Sequence, residues 1–113
     1  MREMTLAQSV IRIVEGTARQ HGGTRVSAIT LQVGLLAGIE VEALRSCIGA
    51  ASRMGLAEGA TLVIEQPGGS AWCRSCGESV PLSSLIEPCP RCGSHQLQVT
   101  GGNELKVCEI EIR

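Results

Sequence analysis

The chain of 113 residues has no phenylalanine, no tyrosine and a single tryptophan, Trp72. Aromatic rings bury large areas, so a core without them must be assembled from Leu, Ile, Val, Ala and Met. The hydrophobic fraction of 43% is enough for such a core. Each element buries less area, however, so a metal ion that links several segments would make a larger contribution to the stability of the fold. The same shortage of rings removes the stacking platform on which single-stranded nucleic acid binds.

Net charge and long apolar runs are also scarce. The formal net charge is −1, which gives no general attraction to nucleic acid or to an anionic membrane. No apolar run approaches the roughly 20 residues that a membrane-spanning helix needs, and the N-terminal segment lacks the basic and apolar regions of a signal peptide. We therefore expect a cytoplasmic protein of one-domain size that binds neither nucleic acid nor membrane.

Cysteine, by contrast, is abundant. Four of the six cysteines form two Cys-x-x-Cys-Gly segments, residues 73–77 and 89–93, with twelve residues between the two cysteine pairs. In a chain without a secretion signal this spacing indicates metal binding rather than disulfides. Each segment predicts a tight turn with both sulfurs on one side, and its glycine turns the chain where a side chain would clash. Two facing turns predict a structural Zn²⁺ in tetrahedral geometry. The predicted ligands are Cys73, Cys76, Cys89 and Cys92.

Two other interpretations of these four thiols stay open at this point. They could be redox-active, or they could hold iron, as the same pair of segments does in rubredoxins. Rubredoxins cover their iron site with aromatic side chains, whereas this chain has only Trp72. Zinc is therefore preferred over iron.

The N-terminal part of the chain predicts an amphipathic helix over residues 5–21. Thr5 and Gln8 have the spacing of a capping box, in which two side chains satisfy early backbone donors. Apolar residues recur near the helical period and define a broad face: Leu6, Ala7, Val10, Ile11, Ile13, Val14 and Ala18. The residues left ahead of this helix, as a short free extension, are Met1, Arg2 and Glu3.

The rest of the chain alternates between strand and helix patterns. The predicted segments are a strand over 26–33, a helix over 40–53, a strand over 60–65, a linker over 66–70, a zinc module over 71–97 and a strand over 104–113. In the last strand the apolar parity changes between Val107 and Cys108, which a bulge or burial on both faces near its start would explain.

This order predicts an α+β fold. A small sheet of about three strands would pack with two helices, and a zinc-ribbon module with four cysteine ligands would be inserted before the last strand, which returns to that sheet. The expected domains are residues 1–68 with 99–113, and a zinc-binding domain over 69–98.

Several isolated residues also carry expectations. Cys47 and Cys108 fall on apolar faces and are expected to be buried as small hydrophobic residues. His95, just after the second cysteine pair, either contacts the metal site or is an ordinary solvated histidine. His21 is expected to face the carbonyl groups at the end of the first helix.

Arg74 and Arg91 lie inside the cysteine segments, where the negative charge of the thiolates favours cations. A more specific interpretation of these arginines is nucleic-acid recognition, but the sequence contains no further run of basic residues that would support it. The chain contains no nucleophile–base pair, phosphate-binding loop or carboxylate dyad, so an enzyme is not expected.

Several segments together carry a resemblance to a known family. The chain begins Met-Arg-Glu-Met-Thr-Leu-Ala, residues 58–64 read Glu-Gly-Ala-Thr-Leu-Val-Ile, and residues 102–107 read Gly-Asn-Glu-Leu-Lys-Val. With both cysteine pairs between them, and Cys-Pro-Arg-Cys-Gly-Ser at 89–94, they resemble the HypA/HybF hydrogenase nickel-incorporation proteins in the family's order. The beginning of the chain is similar to the family's Met-His-Glu-Met-Ser-Leu start.

The resemblance implies a metallochaperone. Such a protein receives Ni²⁺ and delivers it, with a HypB-type GTPase, to the large-subunit precursor of a nickel-iron hydrogenase. It implies structural zinc on the four cysteines and a labile nickel site built from the α-amine, the backbone nitrogens of residues 2 and 3, and the imidazole of a histidine at position 2. Square-planar nitrogen donors suit Ni(II). Met1 and Glu3 would be backbone donors here, and Glu3 and Glu40 are either flanking acidic groups or ordinary solvated carboxylates.

Position 2 departs from the family, because it is Arg2. A guanidinium has no available lone pair, stays protonated and repels a cation. The expectation is therefore a chain that keeps the fold and the zinc but binds nickel poorly. The competing hypothesis is a zinc-ribbon module that docks a protein partner without transporting metal, and a rubredoxin-like iron electron carrier is less favoured.

Overall fold

A computed structural model describes residues 2–113, which form two helices and six strands. In chain order the elements are α1 (Arg2–Gln20), β1 (Val26–Val33), α2 (Val41–Ala51), β2 (Thr61–Glu65), β3 (Gly69–Cys73), β4 (Glu78–Leu82), β5 (Leu97–Gly101) and β6 (Leu105–Ile112). The strands make two three-stranded sheets, with orders β2-β1-β6 and β4-β3-β5. Within the described residues, no helix has the length and apolar character to cross a membrane.

The predicted α+β class is confirmed, including the two helices and the return of the last strand to the first sheet. The module around the cysteines has a sheet of its own, in which β3 is the central strand and pairs antiparallel with β4 and β5. Its first strand begins at Gly69, so the last two residues of the expected linker belong to the sheet.

The chain divides into two compact units. The helical unit comprises the chain up to Leu31, Ile39–Ile64 and Lys106–Arg113, and the knuckle unit comprises Gln32–Gly38 and Glu65–Leu105. Whether the expected domains, 1–68 with 99–113 and 69–98, fold as independent bodies stays a prediction.

The buried side chains that α1, α2 and β1 contribute to the helical unit are aliphatic apart from one thiol, in agreement with the composition. Helices α1 and α2 pack together, and β1 supplies further buried side chains. The buried residues of these three elements within the unit are Ala7, Val10, Ile11, Val14, Ala18, Val26, Ile29, Leu31, Leu44, Cys47 and Ile48. The expectation that Cys47 is buried is confirmed.

The predicted start of the first helix is wrong. Helix α1 begins at Arg2, so Arg2 and Glu3 belong to its first turn and are not a free extension; Met1 lies outside the described residues. Thr5 is inside the helix, where its carbonyl oxygen accepts a hydrogen bond from Ser9 Oγ at 3.1 Å, and it does not cap the N-terminus. The acidic side chain of Glu3 suits this first turn, because the helix dipole favours negative charge there.

Ile13 and Cys108 are exposed, contrary to expectation. Ile13 retains 56% of its surface, since it is rotated about 100° from buried Val14, at the margin of the apolar face. In β6, Cys108 and Glu109 are both exposed. These two consecutive exposed residues produce the change of parity, and Lys106 is also exposed, so the start of β6 is not buried on both faces.

Candidate metal centre

Each Cys-x-x-Cys-Gly segment forms a hydrogen-bonded turn. Strand β3 ends at Cys73, so the sheet holds the first sulfur in place. The amide of Gly77 donates to the carbonyl oxygen of Cys73 at 2.8 Å, and that of Gly93 donates to the carbonyl oxygen of Cys89 at 2.9 Å. Gly77 and Gly93 have φ values of 69° and 74°, a region that glycine enters without steric cost. The glycine that closes each segment is therefore required by the turn.

The two turns bring the four predicted ligands together. Their sulfur atoms all lie within 4.8 Å of one another. The Sγ atoms of Cys73 and Cys92 are 3.6 Å apart, and those of Cys76 and Cys89 are 3.8 Å apart. Sulfurs held about 2.3 Å from a central zinc in a tetrahedron would be separated by about 3.8 Å. The geometry of the four thiols therefore fits a four-coordinate zinc ion, while their role as zinc ligands stays a prediction.

Backbone amides donate hydrogen bonds to two of the four sulfurs. The amide of Cys76 donates to Sγ of Cys73, and the amide of Arg91 donates to Sγ of Cys89, both at 3.4 Å. Burial raises the pKa of the Cys89 thiol, but hydrogen bonds from the backbone amides of Cys92 and Arg91 outweigh it and lower the pKa to about 7. The thiolate form of Cys89, which is the form that binds metal, is thus favoured near neutral pH.

The sulfurs are part of the small core of the knuckle unit. The buried cluster there consists of Leu36, Ala71, Cys73, Val80, Leu82 and Cys89. Cys76 is half-buried and Cys92 is exposed. One side of the centre is therefore embedded among aliphatic side chains and the other is open to solvent.

Hydrogen bonds connect the two cysteine segments outside the sulfur atoms. Ser75 Oγ, in the first segment, donates to Ser94 Oγ at 2.9 Å, just after the second. The carbonyl oxygen of Ser94 accepts from the amide of Cys89 at 2.8 Å. The guanidinium of Arg91 forms an ion pair with the Glu78 carboxylate at 2.6 Å, whereas it is the backbone amide of Arg91 that donates to a sulfur. Sequence reasoning missed Ser75, Ser94 and Glu78, because nothing in the spacing of the cysteines indicates these contacts.

The two histidines lie outside this centre. Within residues 2–113 the four cysteines are the one group of three or more potential ligands close enough to share a metal ion. His95 is exposed and is not in that group. Nδ1 of His21 lies 2.9 Å from the carbonyl oxygen of Thr17, as expected for a histidine at the end of α1.

Around the first turn of α1 the structure brings together the acidic groups singled out in the sequence. A carboxylate oxygen of Glu3 accepts from the amide of Glu40 at 3.4 Å, and the guanidinium of Arg2 lies 3.7 Å from the same oxygen. The carboxylate of Glu40 accepts from the amide of Glu42 at 3.1 Å and caps α2. Hydrogen bonds from the amides of Glu3 itself and of Glu40 hold the pKa of the Glu3 carboxyl below its usual value. Both carboxylates therefore have backbone partners and are not simply solvated.

The fold and the centre define a class: a small α+β protein with an inserted four-thiolate ribbon. The chain matches, over residues 1–112, the family described as hydrogenase/urease nickel incorporation metallochaperone HypA, and it belongs to that family. It is 46% identical over 112 residues to the hydrogenase maturation factor HypA of Dechloromonas aromatica and 47% identical over 112 residues to that of Azotobacter vinelandii. In both comparisons 99% of each chain is covered.

Solved structures agree on the fold. The solution structure of the Ni metallochaperone HypA from Helicobacter pylori is similar with a TM-score of 0.71, covering 97% of this chain and 96% of that one. At 19% sequence identity this similarity establishes the fold alone.

Proposed function

We propose that the chain is a nickel metallochaperone for the maturation of nickel-iron hydrogenase. Membership of the HypA family over residues 1–112 is the observation that carries this proposal. Nickel is the cargo, bound transiently and passed on by ligand exchange. The hand-off would involve a HypB-type GTPase and end at the large-subunit precursor of the hydrogenase. The work would take place in the cytoplasm, where the thiols stay reduced.

The resident metal in this proposal is Zn²⁺ on Cys73, Cys76, Cys89 and Cys92. When bound, a closed four-thiolate zinc supplies structural cross-linking and no reactive position. Its support is the separation of the sulfurs, the two amide donors at 3.4 Å and the favoured thiolate of Cys89. The chain's own role is to hold two turns in register, so the knuckle unit is a scaffold and not the nickel carrier.

Nickel would be captured at the N-terminal end of α1, with weakened affinity. The intrahelical hydrogen bonds of a helix do not use the backbone N–H groups of its first turn, so nitrogens there can serve a ligand without breaking the helix. Arg2 would contribute its backbone nitrogen, whereas its guanidinium, already near the Glu3 carboxylate, offers no lone pair. A histidine at this position would supply the missing fourth nitrogen.

Hydrogenase maturation in cells tests the proposal. A bacterium that lacks its own HypA-family protein would receive this chain or the Arg2→His variant, and hydrogenase activity would be measured over a range of added nickel. We expect both proteins to restore activity, with the present chain needing about tenfold more nickel, since even the loss of a group that only supports a metal ligand costs about tenfold or more in affinity. A Cys73→Ala variant, which removes one of the four thiolates, serves as the inactive control. Failure of both proteins at every nickel concentration would contradict the proposed function.

A further inference from the structure

One face of the knuckle-unit sheet is exposed and carries no charge. In β3, β4 and β5 the side chains alternate between the buried cluster and solvent. The outward positions, here named the Trp72 face, are Ser70, Trp72, Ser79, Pro81, Gln98 and Thr100. Glu78 is the sole charged residue in the three strands. It shares the parity of buried Val80 and Leu82 and is paired with Arg91.

Trp72 occupies the middle of this face. It lies on the central strand, opposite Ser79 on β4 and Gln98 on β5, and 44% of its surface is exposed. It is the chain's one aromatic residue, yet it is placed on the solvent side of a sheet whose core has none. Tryptophan in a surface free of charged residues is characteristic of the centre of a protein–protein contact.

The polar groups of the face are rich in hydrogen-bond donors. The indole N–H of Trp72 is a donor only, the Gln98 amide offers two N–H groups, and the Ser79 hydroxyl can donate. Within residues 2–113 the structure gives no hydrogen bond to these three side chains, whereas Ser70 and Thr100 bond to each other at 3.0 Å. The surface around the indole is therefore ready to bind acceptors.

The size of the face excludes a second copy of the chain as a stable occupant. Three strands about 4.8 Å apart and five residues long span about 10 Å by 17 Å, or on the order of 200 Å². A stable interface needs about 800 Å² from each partner. A short segment of another protein fits this area, and the absence of charge gives no attraction to acidic or basic segments.

We propose that the Trp72 face binds a short, uncharged, proline-containing segment of a partner protein. Proline presents a compact apolar ring that packs on the indole, and it leaves carbonyl acceptors without adding an N–H donor. A proline-rich segment is already extended in solution, so it loses little conformational entropy on binding. A shallow face of this size could not offset the larger cost of ordering a flexible chain.

Trp72 is itself the probe that tests this inference. Zinc-loaded, ¹⁵N-labelled full-length protein would be titrated with a blocked decaproline peptide, and the one indole N–H signal would be followed with the amides of Ser79 and Gln98. We expect saturable shifts of these signals in the millimolar range or tighter. A Gly-Ser peptide of equal length should bind at least about tenfold more weakly, since it must be ordered on binding.

Matched variants separate binding from folding. Trp72→Ala should weaken decaproline binding at least about tenfold, Trp72→Phe should retain it within about threefold, and Ser79→Glu should weaken it by placing a charge on the face. Ile86→Ala changes a residue that is 86% exposed in the same unit but outside the face, and it should have no effect. Zinc content and the amide spectrum of each variant report whether the fold is kept.

Three results would overturn the inference. The first is no shift at the Trp72 face with decaproline at millimolar concentration. The second is equal or tighter binding of the Gly-Ser peptide or of an oligoglutamate or oligolysine peptide. The third is a concentration-dependent shift of the indole signal without any peptide, which would assign the face to a second copy of the chain.

Discussion

The two units of the chain reach stability by different means. The helical unit buries aliphatic side chains from two helices and a sheet, and no metal ligand is among them. In the knuckle unit the buried cluster has six members, of which Cys73 and Cys89 are predicted zinc ligands. A core this small does not stabilise a module without an additional cross-link. The comparison indicates that the knuckle unit depends on its metal, whereas the helical unit does not.

Removal of a zinc ligand should have the largest effect on stability, and this effect should be confined to the knuckle unit. We expect Cys73→Ser to abolish stoichiometric zinc binding and leave the knuckle unit largely unfolded, because structural zinc contributes on the order of 10 kcal/mol in small zinc modules. Amide hydrogen exchange would show loss of protection at Ala71 and Val80, with protection kept at Val10 and Leu44. Cys108→Ser, at an exposed thiol outside the site, is the control and should change neither unit.

The converse substitution should damage the helical unit alone. Leu44 is fully buried on α2, so Leu44→Ala should lower the free energy of unfolding of that unit by about 2–5 kcal/mol. Zinc stoichiometry should stay unchanged. Thermal unfolding followed by circular dichroism at the helical signal measures the first effect. Loss of zinc from this variant would show that the two units are not stabilised separately.

The pH dependence of the metal-free knuckle unit gives a smaller, directional effect. The folded pKa of Cys89, about 7, is below the ordinary value of 9.0. A lowered pKa contributes stability that is complete above pH 9 and is lost as the pH falls through 7. Stability of the metal-free unit should therefore rise between about pH 7 and pH 9. Above that range it should fall, because hydrogen bonding to the Cys92 thiol raises the pKa of Cys76.

The amide spectrum of the metal-free protein at several pH values would check this trend, because the folded fraction of the knuckle unit should follow its stability. The helical unit of the same sample is the internal control, because the predicted effect arises from Cys89, which belongs to the knuckle unit. A flat profile for the knuckle unit from pH 7 to 9 would contradict the assignment of the lowered pKa to Cys89.

The smallest expected effect concerns the link between the two cysteine segments. Ser75→Ala removes the 2.9 Å hydrogen bond to Ser94 and should cost the knuckle unit about 0.5–1.5 kcal/mol. Zinc release to a chelator should become a few-fold faster, as for other groups that support metal ligands. Ser84→Ala, in the loop between the segments, is a matched control. Equal release rates for the two variants would remove any special role for Ser75.

The parts of the fold that could be predicted from the sequence are those set by local rules. The alternation of apolar and polar residues predicted the bounds of β1, which are those in the structure. The spacing of the cysteines and the glycines that follow them predicted that the four thiols lie close together, as they do. The start of α1 could not be predicted, because the sequence offers two competing beginnings: a capping box at Thr5 and an acidic first turn at Glu3. The contact of Glu3 with the amide of Glu40 is a tertiary interaction that no local pattern contains.

Exposure at the margins of the elements was also beyond local rules. Ile13 and Cys108 are apolar residues that the sequence pattern assigns to apolar faces, yet both are exposed. The helical period places Ile13 at the edge of the apolar face of α1. Whether a residue at that edge is buried depends on which other elements pack against the helix. In β6 the alternation of half-buried and exposed residues shifts by one position at Cys108 and Glu109, which are both exposed. Which of the neighbouring residues is exposed at such a shift depends on how β6 pairs within the sheet. The Trp72 face likewise emerges only when three separate strands are aligned.

The measurement that tests the central claim most directly is a nickel titration of the zinc-loaded chain beside its Arg2→His variant. The claim is that the zinc scaffold is complete while the nickel site lacks one nitrogen ligand. Metal content by mass spectrometry should show one zinc in both proteins, and the titration should show one nickel bound with at least about tenfold higher affinity in Arg2→His. Equal nickel binding by both proteins, or nickel that displaces zinc from the cysteines, would contradict it.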